Sequence, residues 1–228
     1  MADFVHLHMH TEYSLLSGAN RISELPRRIA ELGMSACAIT DHGVMYGALE
    51  FYQACRKENI KPIIGCEVYV ALNGRLAKDG VADRRTAHLI LLAENNCGLR
   101  NLNKLVTLSY TEGFYGKPRV DHELLALYHE GLIALSGCIE GEIPLALRRG
   151  DFAGACELAR QYQDIFGSEN FFLEMQATGL PEQNMVNSGL IRIAKKLGIP
   201  PVATNDCHYM QQTDATAHEI LLLSLIHI

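Results

Sequence analysis

His6, His8 and His10 recur at every second position of FVHLHMHTEYSLLSG, residues 4–18, with Val5, Leu7 and Met9 between them. On an extended segment, side chains two apart point the same way and stand roughly 6.6 Å apart. His8 and His10 can then serve one metal ion together or bridge two neighbouring ions. His6 shares their face but lies deeper, and reads as a packed or hydrogen-bonded residue. Further along come Asp41 and His42 in AITDHG, Glu67 in GCEVYV, His88 in HLILLAEN, Cys138 in LSGC, and Asp206 and His208 in ATNDCHY. Imidazole, carboxylate and thiolate are the groups that hold zinc and similar divalent ions. The chemistry these residues point to is metal-assisted.

Short apolar runs must position them. Strand candidates cover residues 4–10, 36–40, 62–70, 88–93, 132–136, 171–176 and 201–204, with amphipathic stretches between them. The helical stretches are ISELPRRIAELG, YGALEFYQACRKEN, LRNLNKLVTLSY, DFAGACELARQYQDIFG and PEQNMVNSGLIRIAKKLG. The last has Pro181 near its start and Gly198 at its end, the usual asymmetry of helix termini. Residues 73–85 and 111–120 read as loops. Seven strands, each followed by a helix, predict parallel β/α units. An open doubly wound sheet and a closed barrel both fit that pattern.

In such folds, functional groups gather where strands end and loops begin. His8 and His10 end the first candidate strand, Asp41 and His42 the second, Cys138 follows the fifth, and Asp206 and His208 follow the seventh. Glu67 lies within the third. His88 stands at the front of the fourth, the wrong end by this rule. Each residue alone has an ordinary reading. Asp41 could cap a helix, Glu67 could be a buried acid paired with a base, and Cys138 could be a small buried hydrophobe. Their recurrence at successive strand ends favours metal ligation for the set.

Composition bounds the class. Hydrophobic residues make up 48% and charged residues 20% of the chain, enough to bury a core. The net charge of -6 argues against a domain that grips nucleic acid mainly through a basic surface. Contact through bound metal ions stays open, because cations offset acidic ligands locally. Seven cysteines stand singly, with no C-x-x-C pair. The start, MADFVHLHMH, lacks a basic region followed by an apolar run. A reducing cytoplasm and no membrane partner are expected.

The same motifs resemble, in order, those of the PHP (polymerase and histidinol phosphatase) domain family. EGFYGKPRVD, EGLIALSGCIEGEIP, NFFLEMQATGLPEQNMVN and LGIPPVATNDCHY narrow the likeness to the PHP domains at the amino terminus of bacterial DNA polymerase III alpha subunits. The resemblance implies a distorted seven-stranded β/α barrel over residues 1–218. It also implies up to three divalent ions (zinc, manganese or iron) in a cleft. Carried over by motif, the ligand positions are His8, His10, Ser17, His42, Glu67, His88, Cys138, Asp206 and His208. Ser17 departs from the family, where SLLDG places a carboxylate, so one metal position is expected to be weak or lost. Asp41 is expected to hold a histidine ligand in orientation.

The implied activity is phosphoester hydrolysis, as a 3′–5′ exonuclease proofreading DNA primer ends. Its implied partners are the DNA primer-template, the rest of the polymerase subunit, a proofreading subunit and the replisome. The rival reading is a catalytically silent, metal-bound scaffold. A stand-alone histidinol-phosphatase-like hydrolase is a third, disfavoured by GFYGKPRVD and GLPEQNMVN. No polymerase active site is expected in this stretch. Lys117 and Arg119 are candidates for a phosphate contact, although a solvated loop is the favoured reading there. Residues 219–228, ending LSLIHI, are expected to be a truncated end with an unrelated tail, and His227 carries no assignment.

Overall fold

The computed structural model describes residues 4–224. Seven strands form one sheet: β1 (Ala36–Ile39), β2 (Lys61–Ala71), β3 (Thr86–Ala93), β4 (Arg119–Val120), β5 (Leu132–Leu135), β6 (Phe171–Gln176) and β7 (Pro201–Thr204). Their spatial order is β1-β2-β3-β5-β6-β7, with β4 paired to β2. The sheet curls into a distorted half-barrel of mixed α/β type. Among the described residues eight α-helices accompany it: α1 (Leu25–Glu31), α2 (Ala48–Lys57), α3 (Asn96–Thr111), α4 (His122–Leu127), α5 (Glu142–Arg148), α6 (Phe152–Phe166), α7 (Pro181–Leu197) and α8 (Ala215–Ser224).

Several expectations need correction. Residues 4–10 are not a strand. Their backbone groups are divided between two neighbours, which leaves only isolated parallel bridges, His6 with Cys37 and Met9 with Cys207. His6 O accepts from Ala38 N at 2.8 Å on one side, and His10 N donates to Cys207 O at 2.9 Å on the other. The segment thus spans the gap between β1 and the chain just beyond β7. The strands are not all parallel either. β3 runs antiparallel to both β2 and β5. The expected loop 111–120 holds β4, and α4 and α5 were not anticipated because each spans two turns or fewer. The expected division at residue 218 falls within α8, and His227 and residues 225–228 lie outside the described residues.

Alternation along the strands builds the interior. Cys66, Val68 and Val70 of β2, Leu89 and Leu91 of β3, and Leu132 and Ala134 of β5 point outward into the largest core, shared with α3 to α7. The intervening residues point inward. At one end these are apolar, with Ala38, Ile90, Leu92 and Leu135 packed beside Ile63, Phe172 and Val202. At the other end the inward positions carry Glu67, His88, Glu174 and Gln176. One set of strands therefore supplies an apolar plug and a polar cluster stacked along the same axis. Truncating a plug residue such as Ile90 to alanine would cost about 2–5 kcal/mol.

Candidate metal centre

Backbone geometry brings the ligand-type residues to one end of the curl. β1 ends at Ile39, and the chain continues through Thr40 and Asp41 to His42, which bridges to Glu67 of the neighbouring β2. Gly43 then turns the chain at φ +64°, and a side chain there would press on Pro118 at 2.9 Å. Tyr69 pairs with His88 across the antiparallel ladder. Because β3 runs backwards, its beginning lies beside the finishing ends of the parallel strands, which is why the strand-end rule misplaced His88. Beyond β7, Asp206 takes up φ +49°, and Cys207 docks on His8 and His10 through the backbone. Gly18 lets the returning loop close on the first segment, since a Cβ there would lie 1.9 Å from Thr11 O.

Three overlapping triads result. His10, His42 and His208 form one; His8, His10 and Asp206 a second; His42, Glu67 and His88 a third, each with its ligand atoms within 4.8 Å of one another. His10 and His42 each belong to two triads. The His10 ring stacks on His42 at 4.0 Å and on His208 at 4.3 Å between centroids. Glu67 Oε2 lies 2.7 Å from His42 Nδ1, and Glu67 Oε1 lies 2.9 Å from His88 Nδ1. Cys138 sits at the margin, its Sγ 3.5 Å from His88 Nδ1 and 3.9 Å from Glu67 Oε1. Seven of the eight expected ligands thus interlock in triads, and Cys138 flanks them. Ser17 lies apart on the wall of the adjoining cleft, where its hydroxyl donates to Ser14 O at 3.2 Å.

The outer hydrogen bonds fix the ring orientations. His8 Nδ1 donates to Glu174 Oε1 at 2.7 Å, and Glu174 also accepts from Gln176 and Thr204. Ser14 Oγ donates to Asp41 Oδ1 at 2.6 Å, so its oxygen is left to accept from His10 Nδ1 at 2.9 Å. Thr11 anchors Asp41 through its backbone N–H and its hydroxyl, both at 2.7 Å. Asp41 therefore stands behind His10, acting through Ser14. With both Nδ1 atoms committed as donors, the Nε2 atoms of His8 and His10 face each other at 3.1 Å. Two lone pairs at that distance need a positive charge between or beside them. The buried atoms His42 Nδ1, Glu67 Oε2 and Asp206 Oδ1 also lack hydrogen-bond partners, although His42 and Glu67 are close. Buried polar groups are normally paired, so this donor set fits cations better than it fits itself.

Charge states follow the same geometry. Burial works against ionised Glu67, but His8 and His88 outweigh it and hold the carboxyl well below the usual range. Asp206 is likewise brought down to about 2, with His8 and His10 overcoming burial. Burial opposes a proton on His8, yet Glu174, Asp206 and Glu67 raise its pKa well above the ordinary value. Burial lowers His42, and burial with nearby His10 lowers His208 to about 4. His42 and His208 are thus held neutral, the form of imidazole that binds metal, whereas a cation at His8 would take the place of the proton that the carboxylates favour there.

Glu174 and Ser14 were missed from the sequence. Glu174 left a trace, a carboxylate in the apolar run FFLEMQ, two positions from Phe172 and Gln176 on the inward face. Ser14 left none. Arg119 departs from both readings offered for it, the phosphate contact and the favoured solvated loop. It is fully buried, and its guanidinium donates to the carbonyls of Gly113, Arg75, Ala77 and Asp83. It pins residues 75–83 and has no access to a phosphate. Lys117 is exposed and lines the cleft beside the cluster.

Known proteins resemble this chain at two levels, sequence and fold. The chain is 50% identical over 220 residues to the DNA polymerase III subunit alpha of Treponema pallidum, and 45% identical over 226 residues to that of Aquifex aeolicus. Each alignment covers 96% of this chain but 19% of the relative, so the chain spans about a fifth of those proteins. Among solved structures, a putative metal-dependent phosphoesterase from Bifidobacterium adolescentis superposes with TM-score 0.59 at 14% identity, covering 97% of this chain and 96% of the other. An amidohydrolase from Chromobacterium violaceum superposes with TM-score 0.57 at 14% identity, covering 95% and 96%. At that identity the likeness establishes the fold. Residues 6–178 match the PHP domain family, and the chain belongs to it.

Proposed function

We propose that the cluster is the metal centre of a phosphoesterase. His8, His10, His42, Glu67, His88, Cys138, Asp206 and His208 are its ligands, and up to three divalent ions (zinc, manganese or iron) are its cofactors. The observation that carries this reading is the sharing of His10 and His42 among three triads in which the buried His42 Nδ1, Glu67 Oε2 and Asp206 Oδ1 have no hydrogen-bond partner. Divalent ions held there would supply an acidic bound water and neutralise charge on phosphate oxygens. The chain's own groups do the rest. Glu174 and Ser14 hold His8 and His10 in the tautomers that present Nε2 inward. Glu67 spans His42 and His88 with its two oxygens. Packing behind Glu67 and His8 keeps bulk water from the rear of the cluster.

The substrate class follows from the relatives. Likeness to DNA polymerase III alpha subunits supports a 3′–5′ exonuclease acting on DNA primer ends, within a longer protein that makes DNA. The remainder of that subunit, the primer-template, a proofreading subunit and the replisome are the matching partners. The setting is a reducing cytoplasm, consistent with seven free cysteines and with no helix among the described residues long and apolar enough to cross a membrane. Purified chain with manganese or zinc should release mononucleotides from a labelled 3′ end. Failure to cleave with metal bound at full occupancy, both alone and within a full-length subunit, would overturn the reading.

One observation favours a second reading. Ser17 offers a neutral hydroxyl where the family places a carboxylate, and that hydroxyl is engaged with Ser14. A metal-bound scaffold supporting the polymerase would keep the triads and dispense with that ligand.

A further inference from the structure

A cleft of about 530 Å³ opens directly on His42 and His88. Four of the nine tyrosines in the chain line it: Tyr13, Tyr46, Tyr69 and Tyr110. Two of them lie open to solvent, Tyr46 at 65% and Tyr110 at 39% exposure. Tyr110 also stacks on the exposed Phe114, with ring planes 18° apart. Aromatic faces are costly to leave in water, and a run of them beside a reactive centre offers flat, sequence-tolerant surfaces. Tyr69 has a different task. Its ring stacks on His42 and carries the Lys117 ammonium 4.3 Å from its centroid. Lys117 is the one Lys or Arg lining this cleft among the described residues.

We propose that this cleft is a nucleotide subsite, in which Tyr46 and Tyr110 stack an unpaired base and Lys117 holds an adjoining phosphate of a single-stranded nucleic-acid end. The inference rests on the phosphoesterase reading and names the strand form that site accepts. Bases in a duplex hide their faces in the helical stack, so exposed ring faces select unpaired ones. The chain has a net charge of -6, so general electrostatic attraction cannot hold a polyanion here. One placed ammonium, stacking surfaces and the metal cluster remain as the means of recognition.

The test separates binding from cleavage. The probe is a short single-stranded oligothymidylate labelled at its 5′ end, whose last linkage is a phosphonate that keeps its charge and resists hydrolysis. A second probe lacks the terminal base. Fluorescence anisotropy of the manganese-loaded chain should show the base-bearing probe bound about tenfold more tightly. Tyr110→Ala and Tyr46→Ala, at exposed positions, should erase that preference. Lys117→Met should lower affinity for both probes alike and reduce the slope of log affinity against log salt by about 0.7. Equal binding of the two probes, no binding of either, or unchanged behaviour in all three variants would overturn the subsite. Cleavage of a native linkage then reports separately. Base-selective binding without cleavage would leave the subsite standing and the phosphoesterase reading fallen. Cleavage indifferent to the terminal base would do the reverse.

Discussion

Glu174 Oε1 stands 2.7 Å from His8 Nδ1, with both side chains wholly enclosed, so a carboxylate on β6 sets the orientation of an imidazole near the start of the chain. Carboxylate–imidazole pairs of this kind raise the basicity of the inward nitrogen and fix its tautomer. Glu174→Gln keeps the shape but removes the charge. It should weaken manganese or zinc binding about 10- to 100-fold, read by competition with a chromophoric chelator. Unchanged affinity would show that Glu174 is merely packed.

His10 belongs to two triads, whereas His88 belongs to one. His10→Ala should therefore remove more bound metal than His88→Ala, and should abolish release of mononucleotides. Metal content measured by mass spectrometry after gel filtration decides the first point. Chelation of the unaltered chain should lower its melting temperature, because ions that bind only the folded state stabilise it. Equal metal loss in the two variants would argue against shared ligands.

Ser17→Asp places a charged oxygen on the cleft wall. If the lack of a carboxylate at this position limits the site, the variant should bind more metal per chain and cleave a labelled 3′ end faster than the parent. A gain in metal with no cleavage in either form would favour the scaffold.

Arg119 is enclosed by four backbone carbonyls, and Arg75 beside it pairs with Glu112, Asp121 and Glu123. Removing a buried charged donor leaves acceptors without partners. Arg119→Ala should cost about 2–4 kcal/mol in urea unfolding. A loss below about 0.5 kcal/mol, with nucleic-acid binding impaired instead, would show that the arginine reaches solvent and phosphate after all.

His122 Nε2 lies 2.7 Å from Glu142 Oε2, which also accepts from the Tyr162 hydroxyl. Burial lowers the His122 pKa, but the Glu142 contact outweighs it and the net shift is upward. A folded-state pKa above the unfolded one means that the ion pair contributes fully below about pH 6.5. The contribution fades as pH rises through the folded value. His122→Gln should therefore destabilise the chain more at pH 5.5 than at pH 9, by denaturant titration at both values. An equal loss at the two pH values would remove the ion pair from the account.

The identities of the ligand-type groups were legible in the sequence because chemistry narrows the choice. Few residue types hold divalent ions, and they recurred at the ends of apolar runs. Six of the seven expected strands are present, since a short apolar run bounded by turn residues marks a strand buried in the sheet. α7 also ends at Gly198 as expected, in the left-handed backbone conformation that glycine favours.

What the sequence could not state was direction and depth. No local pattern distinguishes a strand that runs parallel from one that runs antiparallel, so the reversal of β3 that brings His88 to the cluster was decided by sheet pairing. No local pattern shows that residues 4–11 divide their hydrogen bonds between two edges, or that Arg119 is enclosed while Lys117 stays open. Glu174 and Ser14 act through partners 166 and 4 residues away, and only the tertiary structure brings those side chains into contact. Composition and spacing determined which groups were available for metal chemistry. Long-range packing decided which of them face one another, because that depends on how the sheet closes and not on any residue's own neighbours in the chain.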